Sequence, residues 1–153
     1  MSRSEPLSYI EPTQEAGRLF MQRGLTGPIA MLNLLKFRDA ADYSAHPELA
    51  PAMPISGAEA FNRYVRHTLP YLRETGGDVL FLGAGGGFLI GPADERWDMA
   101  MLVRQASVAS FLSFAGNEGY LVGLGHRAAA IEDSRLLPLS ELRLPLSPNG
   151  TSS

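Results

Sequence analysis

The chain has no cysteine in its 153 residues. That single absence excludes disulfides, thiolate metal ligands and cysteine nucleophiles together, and it fits a reducing compartment. Histidine is scarce too. His46, His67 and His126 are the only three, and no H-x-x-x-H or H-x-E-H spacing joins them, so no metal is expected. No G-x-S-x-G frames a serine nucleophile. No apolar run approaches the roughly 20 residues of a membrane span. The opening "MSRSEPLSYIEP" lacks the apolar core of a signal peptide. Lysine is nearly missing: Lys36 stands alone among 13 basic residues, and the formal net charge is -3. The arginines are not interleaved with aromatics, so neither nucleic acid nor an anionic membrane is an expected partner. A cytoplasmic protein is the expectation.

What remains is ordinary globular material, enough for one domain with a hydrophobic core. "TQEAGRLFMQR" (13–23) predicts a short helix capped by Thr13 and ended by Gly24 and Gly27-Pro28. "IAMLNLLKF" (29–37) predicts a strand buried on both faces. Residues 38–56 hold several prolines and no sustained period, which predicts a long loop or flap. In 57–75, Phe61, Tyr64, Val65, Leu69 and Leu72 share one helical face, with a kink or break expected at Pro70. "DVLFLGA" (78–84) and "RWDMAMLVRQ" (96–105) read as strands, and "GFLIG" (87–91) between them as a short strand or hairpin arm. In 96–105, Trp97, Met99, Met101 and Val103 alternate against Asp98, Ala100, Leu102 and Arg104. Ser107 suits the cap of a helical region broken at Gly116-Asn117, and "IEDSRLLPL" (131–139) is the final strand. Residues 1–12 and 141–153 are expected to be a flexible N-terminus and a disordered tail around a single domain at 13–140.

The glycines of "VLFLGAGGGFLIG" (79–91) invite a phosphate-loop reading. That reading needs G-x-G-x-x-G running from a strand into a helix. Counting from Gly83, the sixth residue is Phe88; from Gly85 it is Ile90. The residues C-terminal to the glycines alternate like a strand. The glycines therefore read as a turn or bulge between strands, and no dinucleotide or other cofactor is expected.

The order strand, helix, strand, strand, helix, strand is the ferredoxin-like βαββαβ unit, preceded by an extra N-terminal helix. The fold class is α+β: a four-stranded antiparallel sheet with helices on one face. Apolar strands facing both ways leave the other face uncovered, and a partner sheet is its simplest cover. A homodimer is expected.

"IAMLNLLKFRD", the glycine pair closing the second helix, "WDMAMLVR", "GY" and "HRAAAIEDSRL", in that order over about residues 28–139, resemble an uncharacterised family of the dimeric α+β barrel superfamily. The resemblance implies dimers whose two sheets face each other, and no established reaction. The chain departs from it at "RQAS", where a Pro often precedes the Ser, and at "NEGY", where an acidic residue often precedes the Tyr. The wider superfamily contains cofactor-free monooxygenases, lactone isomerases and haem enzymes, so the fold alone implies no chemistry.

Several residues have both a chemical and a packing reading. His126, with Arg127, Asp133 and Arg135 close by in sequence, forms either an acid–base or anion site, or a helix C-terminus with its dipole-compensating cations and an ion pair. Asn33, amid apolar neighbours, either orients a ligand or bonds to backbone. Trp97, Tyr64 and Tyr120 either line a pocket or pack. The functional expectation is a small-molecule-binding protein, read further as a cofactor-independent, monooxygenase- or isomerase-like enzyme on a carbonyl or aromatic metabolite. Its site would lie between the sheet and the 38–56 flap, with His126 catalytic and Asn33, Tyr64, Trp97 and Arg127 binding the ligand. The alternative is a non-catalytic ligand sensor or assembly module.

Overall fold

The computed structural model describes residues 8–146. Of the ends expected to be flexible, 1–12 and 141–153, residues 1–7 and 147–153 lie outside the described residues. In order the elements are α1 (Gln14–Gln22), β1 (Ile29–Phe37), a 3-10 turn (Pro47–Leu49), α2 (Gly57–Glu74), β2 (Asp78–Gly87), β3 (Arg96–Gln105), α3 (Val108–Ala115), α4 (Glu118–Val122), α5 (Leu124–Ala130) and β4 (Ile131–Ser140). The sheet order is β2-β3-β1-β4 with every neighbour antiparallel. This is the ferredoxin-like arrangement the element order predicts.

Local chemistry sets the helix starts. Thr13, Ser56, Ser107 and Asn117 each accept a backbone N–H with a side-chain oxygen, at 3.0, 3.0, 2.9 and 3.0 Å. Each such cap contributes about 1 kcal/mol. The helix is not broken at Pro70: α2 continues to Glu74. Pro70 and Arg66 are both exposed, so the carbonyl that loses its partner faces water and the missing bond costs little.

The strand registers sort the residues into two faces. Ile29, Met31 and Leu35 of β1, with Met101 and Val103 of β3, lie under the helices and are 0–8% exposed. There they pack with Phe61, Tyr64, Leu72, Phe114, Tyr120 and Ile131. The opposite face carries Ala30, Leu32 and Leu34, paired with Leu102 and Ala100 of β3 and with Leu137 and Leu139 of β4, and Phe81 lies beyond Leu102. None of these belongs to the helix-side core. Among the described residues, the β1 run is thus covered on one face only.

Two expectations need correction. "GFLIG" is not a strand. β2 runs on through the glycines to Gly87, and Phe88–Glu95 make the connection to β3. A Cβ at Gly85 would collide with the Trp97 carbonyl oxygen, so close approach to β3 requires that glycine. Gly91, with φ +156, takes the turn. The alternation of β3 also fails at Trp97. Pairing with β1 stops at Leu35 and Met99, and the Phe37 N–H bonds instead to the Asp98 carboxylate at 2.8 Å. Trp97, still paired with Gly86 of β2, is buried outside the helix-side cluster.

The 38–56 segment is strapped down. Arg38 N donates to Ala130 O, Asp42 N to Ala129 O and Ala41 N to Ile55 O, each at 2.9 Å. Tyr43 is 9% exposed.

Candidate ligand site

The open sheet face holds a shallow depression of ≈ 210 Å³. Its floor is the backbone of Gly85, Gly86 and Gly87, where the strand carries no side chains. Leu34, Ala100, Phe88 and Trp97 form its walls. A Cβ at Gly86 or Gly87 would meet nothing within 4 Å. The two glycines leave open space that any other residue would enter.

Trp97 is fixed from two sides. Its Nε1 donates to the Glu95 carboxylate at 3.0 Å. The Arg135 guanidinium lies 4.9 Å from its ring centroid and 4.7 Å from that of Tyr9, a cation–π arrangement on both sides. Arg135 stands opposite Leu34 in the sheet register, so it reaches Trp97 across the open face. Arg135 Nη1 also donates to Asp133 Oδ1 at 2.9 Å. The same oxygen accepts the N–H groups of Tyr9 and Ser134, both at 2.8 Å. Asp133 therefore ties the N-terminal segment to β4 and sets the arginine that covers the tryptophan.

The other expected site residues go elsewhere. The Arg127 guanidinium donates to Ile10 O at 2.7 Å and to Ser134 Oγ at 3.5 Å, which anchors residues 8–12 to β4. The Asn33 amide donates to Met31 O and Met101 O at 3.3 and 3.4 Å, the backbone partnership of its packing reading. Tyr64, 8% exposed, bonds to the Tyr120 hydroxyl at 2.8 Å within the core. Burial, then the Tyr64 neighbour, pushes the Tyr120 phenol far up. It stays protonated.

His126 lies on the helix side. Its Nδ1 is 2.7 Å from the Tyr43 hydroxyl. Burial, then the charges of Arg63 and His67, lowers its pKa, so the imidazole is neutral near pH 7 and accepts the phenolic proton. Burial likewise raises the Tyr43 phenol. His67 Nε2 donates to Gly119 O at 2.8 Å. Gly119 and Gly123 leave no room for a Cβ beneath Tyr71 and His67. Among the described residues, no hydrogen bond, ion pair or ring contact joins His126 to Trp97, and no three His, Asp or Glu side chains are grouped to hold a metal ion. No helix there is long and apolar enough to cross a membrane.

The residues expected in one pocket thus occupy separate places. The depression is apolar and aromatic, and no side chain lining it titrates. Sequence reasoning missed its glycine floor because Gly85–Gly87 read as a turn. It also missed Tyr43, which sits in a segment with no periodic pattern.

Two solved structures superimpose on nearly the whole chain. The methylated RPA0582 protein is 37% identical with a TM-score of 0.76, covering 90% of this chain and 98% of that one. The RPA0582 protein of unknown function from Rhodopseudomonas palustris matches at 37% and 0.75, covering 89% and 98%. The chain belongs to the RPA0582 family. A "dabb family protein with a ferredoxin-like fold" from Mesorhizobium loti is more distant, at 10% identity and a TM-score of 0.44, covering 76% of this chain and 99% of that one. No family model matches the sequence, and no curated protein does. The resemblance read from the residues holds: the RPA0582 family is one of unknown function with the ferredoxin-like fold.

Proposed function

We propose that this RPA0582-family protein is a homodimer that binds a small, flat, largely apolar molecule on its open sheet face, against Trp97. The observation that carries this is the glycine-floored depression. A strand whose end is bare backbone, beside an aromatic ring held in place by Glu95 and Arg135, accommodates a planar ligand. The homodimer follows from the face around it. Leu32, Leu34, Phe81, Leu102, Leu137 and Leu139 make a continuous apolar surface that a second copy of the same surface would cover.

Gly86→Leu tests the site. A Cβ there meets nothing within 4 Å, so the fold should survive while the depression fills. Native mass spectrometry of freshly purified protein should show a co-purified small molecule on the parent chain and none on the variant. A ligand retained equally by both would place binding elsewhere.

A cofactor-independent enzyme is the second reading. The neutral His126, hydrogen-bonded to the Tyr43 hydroxyl, favours it because such a pair can exchange a proton with a bound carbonyl. On that reading the ligand enters beside α5 and the 38–56 strap. Gly86→Leu would then leave binding intact and His126→Gln would remove turnover.

A further inference from the structure

The connection between β2 and β3 begins with three consecutive large apolar residues. Phe88 is 46% exposed, Leu89 100% and Ile90 91%. A surface with two neighbouring aliphatic side chains wholly in water marks a contact. The tip is shaped in advance. At Gly91 a Cβ would run into the Phe88 side chain, and Glu95 N closes the following turn on Pro92 O at 3.3 Å. A preformed tip costs little ordering when it docks.

The depression needs what the tip offers. At ≈ 210 Å³ it is smaller than the roughly 300–1,000 Å³ of enclosed ligand sites, and it is open to solvent on one side. Phe88 forms part of its wall, yet Leu89 and Ile90 extend beyond that wall into solvent. The same turn that holds Phe88 in place carries them outward, so a chain cannot roof its own depression with them. In a symmetric pair each tip is offered to the other protomer, and the contact is continuous with the apolar face already described.

From this we infer that Leu89 and Ile90 of each protomer close the partner's depression beside Trp97, so that the ligand site is complete only in the dimer. This rests on the sheet-paired homodimer proposed above.

The chain has one tryptophan and no cysteine, which makes a direct test available. A nitroxide, a contact quencher of indole fluorescence, is attached to Leu89→Cys in a chain that also carries Trp97→Phe. This dark chain is mixed with parent protein, in which Trp97 is the only indole, and mixed dimers are counted by native mass spectrometry. A second preparation labelled at Ile90→Cys guards against a label that blocks pairing at one position. Trp97 emission falling in proportion to the mixed-dimer fraction is the expected result. Mixed dimers with undiminished emission from both labels would overturn the tip contact and leave sheet pairing standing. If parent and labelled chains alike remain monomeric, sheet pairing itself fails and this inference fails with it.

Discussion

Asp133→Ala should destabilise the fold more than His126→Ala. Asp133 Oδ1 accepts three hydrogen bonds, from Tyr9 N, Ser134 N and Arg135 Nη1, and its side chain is 17% exposed. The Arg135 side chain is 45% exposed, so that ion pair contributes little by itself. The Tyr9 bond is also at the surface. The part-buried Ser134 N–H carries most of the effect, since a hydrogen bond to a charged group contributes about 1.5–3 kcal/mol. The total is about 2 kcal/mol, and for a chain of this length that corresponds to roughly 4–8 °C in the thermal midpoint. His126→Ala removes one neutral hydrogen bond, worth about 1 kcal/mol, so its midpoint falls by roughly half as much. Differential scanning calorimetry of both variants beside the parent is the assay, with Asp133→Asn included because its amide oxygen still accepts from Ser134 N. If His126→Ala proves the more destabilising change, the histidine is the structural residue, and the reasoning from the Asp133 network is refuted.

Three further outcomes are expected. The His126 pKa is lowered from its ordinary 6.5 in the fold, so as pH falls through that value the unfolded chain takes up a proton that the folded chain refuses, and stability declines until the folded pKa is reached. The midpoint should therefore drop as pH falls below the ordinary 6.5, and the drop should shrink in His126→Gln; an unchanged drop would assign it to other groups. Arg135→Ala removes the cover of the single, 5% exposed tryptophan, so Trp97 emission should shift to the red, and an unshifted spectrum would mean that other groups bury the ring. Leu102→Asp places a carboxylate at the middle of the open face. Sedimentation should find the parent as a dimer burying upwards of roughly 1,200 Å² in total and the variant as a monomer, and a monomeric parent would refute the pairing.

Much of the architecture was legible in the residues because it depends on local terms. Thr13 and Ser107, read as caps, bond to N–H groups three residues on. The period of 57–75 and the alternation of Met99, Met101 and Val103 reflect which side of each element meets the core. The order of elements then leaves few topologies. Even Pro138 fits, since β4 is an edge strand where a missing N–H is tolerated. The candidate site was not legible, because it is made by contacts across long sequence separations. Tyr43 meets His126 from 83 residues away, and Arg127 meets Ile10 from 117. Nothing local to either partner encodes those distances. Trp97 lies outside the helix-side cluster, where β1 no longer pairs with β3 and a carboxylate takes the Phe37 N–H, which no period could announce. The glycines of β2 carry no side-chain pattern at all. Only their place beside β3 shows that they form a floor, since a missing side chain becomes a cavity when the surrounding residues are folded around it.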